Sequence, residues 1–142
     1  MRSLRRFLHR SSAERAILLH AVFSIVIIRV ILRFLSLPSV QHFLAHVGWR
    51  SKRTCAVDRI VWAIRVAARL IPRSSCLAQA LAAQSLLVRH SYESRLTIGV
   101  RNDDNHRFEA HAWVTSGDEV LIGGPGTERY TALLNLSSLS RT

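Results

Sequence analysis

Cys76 and His111 are the residues of this sequence best placed to do chemistry together. A thiol becomes an effective nucleophile when its thiolate is stabilised. A helix N-terminus does this through unpaired backbone N–H groups and the positive end of the helix dipole. A neighbouring imidazole takes the proton and holds it as imidazolium. Ser74-Ser75 offers an N-cap, and the run from Cys76 to Val88 is rich in strong helix formers, so Cys76 is expected in the first turn of a helix. His111 follows thirty-five residues later, mid-strand, on the face opposite Phe108 and Ala110. Backbone amides at the same helix start would also serve a developing oxyanion. Spacing alone is weak evidence, because a cysteine among alanines and leucines is commonly a small buried hydrophobe. Helix-start and strand placement together make the pair a candidate dyad of nucleophile and base.

Other candidates carry less. His42 and His46 are spaced i,i+4 with Cys55 nearby, but no glutamate lies between them and no second ligand pair follows. No metal or cofactor is therefore expected. Trp49 and Trp62 read as packing residues. Aromatics do not interleave with the arginines and no groove-reading motif is present, which excludes nucleic acid as a partner. Cys55 and Cys76 are not a disulfide framework, so two reduced thiols in a cytoplasmic protein are the expectation.

The elements that must position the dyad are legible in outline. Residues 1–10 are basic and expected to be loosely held. Ser11-Ser12-Ala13-Glu14 fits a capping box, opening a long helix from about residue 12 to about 36 that stops before Pro38. A shorter helix is expected over about 39–47, ending at Gly48, and residues 49–54 read as a basic linker. Val57, Ile60, Val61, Ile64, Ala67, Ala68 and Ile71 then follow the i, i+3, i+4 rule of an amphipathic helix, which Pro72 stops. After the cysteine helix the period changes. Arg95–Arg101 alternates, Asn102-Asp103-Asp104-Asn105 is a turn cluster, Arg107–Thr115 alternates again, and Ser116-Gly117-Asp118 turns into Glu119–Ile122. Three antiparallel strands in a meander are predicted, with the remainder after Gly126 a weakly packed tail.

With 142 residues and 49% hydrophobic content, the chain supports one compact domain and not two. Its net charge of +11 is uneven: residues 1–75 carry +12 and residues 76–142 carry −1. The N-terminal half is thus suited to face something anionic, such as an acidic peptide or protein or the membrane surface. The apolar stretch from Ala16 to Ile28 is interrupted by Arg29 and Arg33. It is shorter than the roughly 20 residues a spanning helix needs, and it reads first as a buried or docking helix and second as a membrane-surface one.

Ser75-Cys76-Leu77-Ala78-Gln79-Ala80-Leu81, the Arg95–Arg101 strand and Ala110-His111-Ala112-Trp113-Val114, in this order, resemble the leader peptidases of lasso-peptide biosynthesis. Those enzymes are similar to bacterial transglutaminase-like cysteine proteases, and the likeness runs from about residue 56 to about 124. It implies an α+β fold: N-terminal helices over 1–55 for docking or membrane contact, then a transglutaminase/papain-like core over 56–142. In that core a cysteine-bearing helix packs on a small antiparallel sheet. It further implies removal of the leader from a ribosomally made precursor before macrolactam closure, with Cys76 as nucleophile and His111 as general base. The partners implied are the precursor, a separate leader-recognition protein and the lasso cyclase, with peripheral contact at the inner face of the membrane. Family members orient the histidine with an aspartate about a dozen residues on. Here that region reads Leu121-Ile122-Gly123-Gly124; Asp118 and Glu119 come too early and Glu128 lies beyond the glycines. A backbone carbonyl, a water or a displaced acid is left to hold the imidazole. The missing acid and the long apolar helix motivate an alternative, a non-catalytic membrane-associated scaffold on a protease-like fold.

Overall fold

The computed structural model describes residues 11–40, 42, 55–102 and 107–137. The expectations for residues 1–10, for most of the 39–47 helix, for the 49–54 linker and for the 103–105 turn lie outside them.

The first helix, α1, spans Ser12–Ile31. Ser11 caps it, its hydroxyl accepting from the Glu14 N–H at 3.3 Å, as the capping-box pattern requires. It ends five residues short of the predicted stop. The chain instead tightens through Phe34 N–H to Ile31 O (3.0 Å) and turns at once into a new helical segment at 37–40. Ser36 accepts there from Val40 N–H through its carbonyl, and Pro38 sits in the first turn. Proline has no N–H to lose at that position, so it opens the next helix where the sequence had suggested it closes the last.

Helix α2 is Val57–Leu70 and helix α3 is Cys76–Arg89. The amphipathic spacing of α2 buries Ile60, Ala63, Ile64 and Ala67, which meet Ile17, Ala21, Ile25 and Ile28 of α1. Alanines at these contacts let the backbones approach closely. Helix α3 has little amphipathic character because it is buried on most sides: α1 and α2 cover one side and the sheet the other.

The sheet has four antiparallel strands in the order β3-β2-β1-β4. They are β1 (Arg95–Asn102), β2 (Phe108–Ser116), β3 (Glu119–Ile122) and β4 (Thr131–Ser137). The three predicted strands are present and form the expected meander. Leu96, Ala112, Val114, Leu121 and Ile122 face the helices and join their core. Phe108 and Ala110, on the same face by alternation, are exposed because the helix layer does not cover that end of β2.

The expected weak tail is in fact strand β4, paired along the free edge of β1. Its Ala-Leu-Leu-Asn-Leu run lacks strict alternation because the pairing shifts between Ile98 and Gly99, where a bulge breaks the two-residue period. Thr97 Oγ1 donates to Asn135 Oδ1 at 2.8 Å, and Gln84 of α3 donates to the Leu136 carbonyl at 2.8 Å, fixing the strand to its neighbours. Among the described residues, no helix is long and apolar enough to cross a membrane.

Candidate functional site

The loop from α2 to α3 is built to hold Cys76 at a helix start. Ser75 is the N-cap, in extended conformation, and its hydroxyl accepts from the Ala78 N–H at 3.2 Å. Ser74 Oγ donates to the Ala68 carbonyl at 3.2 Å, tying the loop back to α2. Gln79, one turn after the cysteine, donates from Nε2 to both the carbonyl (3.1 Å) and the hydroxyl (3.0 Å) of Ser74. Both amide protons of Gln79 are thereby committed. Helix geometry leaves the N–H groups of Cys76 and Leu77 without an intrahelical acceptor, and these are the donors available to an incoming anion. The thiol itself is free and partly exposed.

His111 lies on β2 where the third strand no longer covers it. Pairing of β3 with β2 reaches only from Ser116 to Val114. After Ile122 the chain departs through Gly123, so Ala112 and His111 face an opening rather than another strand. That opening is a cleft of about 670 Å³ lined by Cys76, His111, Gln79, Arg65, Arg69 and the Gly123–Pro125 loop, among others. The two residues singled out in the sequence therefore meet in one cleft, one from a helix start and one from a strand edge.

The imidazole is held by the backbone. His111 Nε2 lies 2.8 Å from the Gly123 carbonyl oxygen. A carbonyl only accepts, so this bond places the ring proton on Nε2 and leaves Nδ1 with its lone pair. Asp118 and Glu119 are exposed in and beside the β2–β3 turn, and Glu128 is exposed in the 3₁₀ turn Thr127–Arg129. Among the described residues none of the three bonds to His111. The acceptor is thus twelve residues after the histidine, at the distance where a carboxylate was sought, but it is main chain. No side-chain pattern announces a carbonyl; the only sequence trace is the glycine pair itself.

Glycine is required at two positions around the ring. Gly123 has φ +119°, and a Cβ there would fall 2.3 Å from Trp113 Cβ. Gly99 is the cross-strand partner of His111, and a Cβ there would meet the Trp113 ring at 2.7 Å and Tyr130 Cβ at 2.9 Å. Freed of side chains, these positions admit an aromatic cluster. His111 lies 6.2 Å from Trp113, centroid to centroid and nearly parallel, and 5.3 Å from Tyr130. Arg101 covers Tyr130 at 5.0 Å from the ring centroid and bonds Glu109, its directly opposed neighbour, at 2.6 Å. The sequence marked Gly99 and Arg101 only as part of the Arg95–Arg101 strand and did not mark Tyr130, because their relation to His111 depends on register.

Two arginines define the electrostatics of the cleft. Arg65 reaches from α2 to β3, its Nη2 donating to the Leu121 carbonyl at 3.2 Å. Arg69, one turn on, lines the cleft with no bonded partner among the described residues, and no carboxylate is among the described lining residues. The charged side chains of the described lining are both cationic.

The model of the Transglutaminase-like superfamily matches residues 19–135. The chain belongs to that superfamily. No curated protein and no solved structure matches it significantly. The superfamily match begins within α1 and ends within β4, so it takes in the N-terminal helix and the fourth strand along with the cleft. Transglutaminase-like proteins include cysteine peptidases, and their α+β architecture agrees with the helices and antiparallel sheet seen here. The other thiol, Cys55, belongs to no such site. It lies ahead of α2, its carbonyl accepting from Tyr92 Oη at 3.0 Å, and burial pushes its thiol up, with Arg59 opposing. His42 is exposed, His46 is outside the described residues, and the described residues contain no cluster of three or more metal-ligating side chains.

Proposed function

We propose that this transglutaminase-like chain is a cysteine peptidase in which Cys76 is the nucleophile, His111 the general base and the Gly123 carbonyl the orienting group. One observation carries the reading: an imidazole with Nε2 tied to a carbonyl shares a cleft with a first-turn cysteine. The tie leaves Nδ1 as the nitrogen able to accept the thiol proton. The sulfur then attacks the peptide carbonyl carbon, and the oxyanion that forms is met by the N–H groups at the start of α3. His111 returns the proton to the departing amine as the C–N bond breaks, leaving a thioester on Cys76. A water, deprotonated by the same Nδ1, hydrolyses the thioester and restores the thiol. Throughout, Nε2–H keeps its carbonyl acceptor and the positive charge of the imidazolium is stabilised there. A carbonyl dipole does this less strongly than a carboxylate, so a moderate rate is the expected consequence.

The substrate we infer is the leader-bearing precursor of a lasso peptide, delivered by a separate recognition protein and passed on to the cyclase. The Ser75–Leu81 and Ala110–Val114 elements support it by resemblance, and a cleft whose described lining carries Arg65 and Arg69 suits a peptide with acidic side chains. A carbonyl in the orienting place answers one of the two grounds for a non-catalytic scaffold, the missing acid, and leaves the other, the long apolar helix, as it was. The test is to incubate precursor and recognition protein with wild type, Cys76→Ala and His111→Ala, and to follow leader release by mass spectrometry. Release by wild type alone is expected. Equal release by all three would end the peptidase reading.

A further inference from the structure

Helix α1 is apolar on both sides, which is unusual for a helix at the edge of a fold. Its core side is fully used: Ile17, Leu18, Ala21, Ile25 and Ile28 are buried. On the opposite side Leu19, Phe23, Val26 and Val30, spaced four, three and four residues apart, fall on one stripe facing outward. The stripe continues past the helix end into Phe34 and Leu35, and Phe23 and Phe34 are 64% and 82% exposed. Scattered surface hydrophobes need no explanation, but a continuous line of them does.

The charges beside the stripe say what covers it. Arg15, one turn before Leu19, and Arg33, three residues after Val30, bracket it. Glu14, the one acid of the helix, and Arg15 are both half-buried, Arg33 is exposed, and residues 1–75 together carry +12. Protein interfaces carry hydrogen bonds among their apolar contacts, about one per 100–200 Å². This line from Leu19 to Val30 is hydrocarbon only, and each of its four side chains is exposed. A hydrocarbon stripe bracketed by long cationic side chains matches the boundary between acyl chains and anionic headgroups, where arginines keep their charge in the polar layer. The helix is not apolar or long enough to cross.

We propose that α1 is an interfacial helix that docks the chain on an anionic lipid surface, with Leu19, Phe23, Val26, Val30 and Phe34 entering the acyl boundary. Arg15 and Arg33 face the headgroups, while Arg29 is held to the fold by its bond to the Pro72 carbonyl at 2.8 Å. None of the stripe residues lines the cleft, so lipid contact and peptide chemistry occupy different surfaces. The proposal stands whether or not Cys76 is catalytic.

The experiment is co-sedimentation of the full chain with sucrose-loaded vesicles of phosphatidylcholine containing one quarter phosphatidylglycerol, against vesicles of phosphatidylcholine alone. Wild type should pellet with the anionic vesicles and lose binding as salt is raised. Phe23→Ser with Phe34→Ser should weaken partitioning by on the order of 100-fold. Arg15→Gln with Arg33→Gln should weaken it by about 30-fold at low salt, and only on anionic vesicles. Phe23, Phe34 and Arg33 are exposed and Arg15 is half-buried, and circular dichroism melts verify that each variant is folded; the charge pair provides the reading if the serine pair is not. Wild type remaining in the supernatant with anionic vesicles overturns the proposal. So does a wild-type dimer in light scattering that the serine pair converts to monomer, since a second copy would then be the cover.

Discussion

Gly123→Ala separates the orienting carbonyl from every side chain in the cleft. A Cβ at this position lies 2.3 Å from Trp113 Cβ and 2.9 Å from its Cα, and both atoms sit at the root of the side chain, where no rotamer change relieves the clash. Restoring ordinary contact requires a shift of about 1 Å in the loop or in β2. The His111–Gly123 bond is 2.8 Å long, so a shift of that size directed away from the ring takes it out of hydrogen-bonding range. Backbone strain adds to this, because φ +119° is glycine territory and costs other residues on the order of 1–3 kcal/mol. Overpacking and strain together should lower stability by about 2–4 kcal/mol. A misplaced base should lower kcat by on the order of 100-fold, with KM much less affected. Precursor cleavage by chromatography and a circular dichroism melt measure the two effects. Gly117→Ala is the control: it also has positive φ (+58°), but nothing lies within 4 Å of its Cβ and it is far along β2 from the ring. It should cost about 1 kcal/mol and leave kcat alone. A folded Gly123→Ala that cleaves at the wild-type rate would refute the assignment of its carbonyl to His111.

Iodoacetamide at neutral pH should label Cys76 before Cys55, whose thiol is raised by burial; peptide mapping that finds Cys55 labelled as fast counts against an activated Cys76. Gly99→Ala should disturb the Trp113–Tyr130 packing over His111, costing about 1–3 kcal/mol and shifting tryptophan fluorescence, whereas an unchanged spectrum and Tm would mean that the ring cluster gives way freely. The His90 imidazole is lowered by burial and by the neighbouring charges of Arg89 and His20. Its neutral form is the one the fold accepts, so its contribution is complete above the ordinary histidine range and is lost as pH falls toward the lower folded value. Melts between pH 7.5 and 5 should therefore decline more steeply for wild type than for His90→Gln, and parallel slopes would contradict this. Ser75→Ala removes the N-cap of α3 and should lower stability by about 1 kcal/mol, measured by urea denaturation.

Local physics made much of this molecule readable from residues alone. The Ser11 cap, the i, i+3, i+4 burial of α2, the Ser75 cap ahead of Cys76 and three alternating strands all depend on neighbours within a few positions. The helix-start placement of Cys76 and the strand placement of His111 belong to the same class. The end of α1 did not, since Pro38 permits either a stop before it or a start around it, and the Val40 N–H bond to the Ser36 carbonyl marks the start. Strand β4 was hidden for a similar reason: its pattern is interrupted by a bulge that exists only against β1.

What the sequence determined by itself was therefore the chemical inventory: a thiol at a helix start, an imidazole in a strand and a strongly basic N-terminal half. Tertiary structure decided how that inventory is used. Only the register of β2 against β1 puts Gly99 opposite His111, and only the early end of β3 turns the Gly123 carbonyl toward the ring. A carboxylate partner would have been visible as a residue type, whereas a carbonyl is common to every residue and acquires a role through position alone. The outward stripe of α1 follows the same logic. Its residues look like core in the sequence, and the packing of Ile17, Ala21, Ile25 and Ile28 against α2 and α3 decides which half of the apolar helix is left outside.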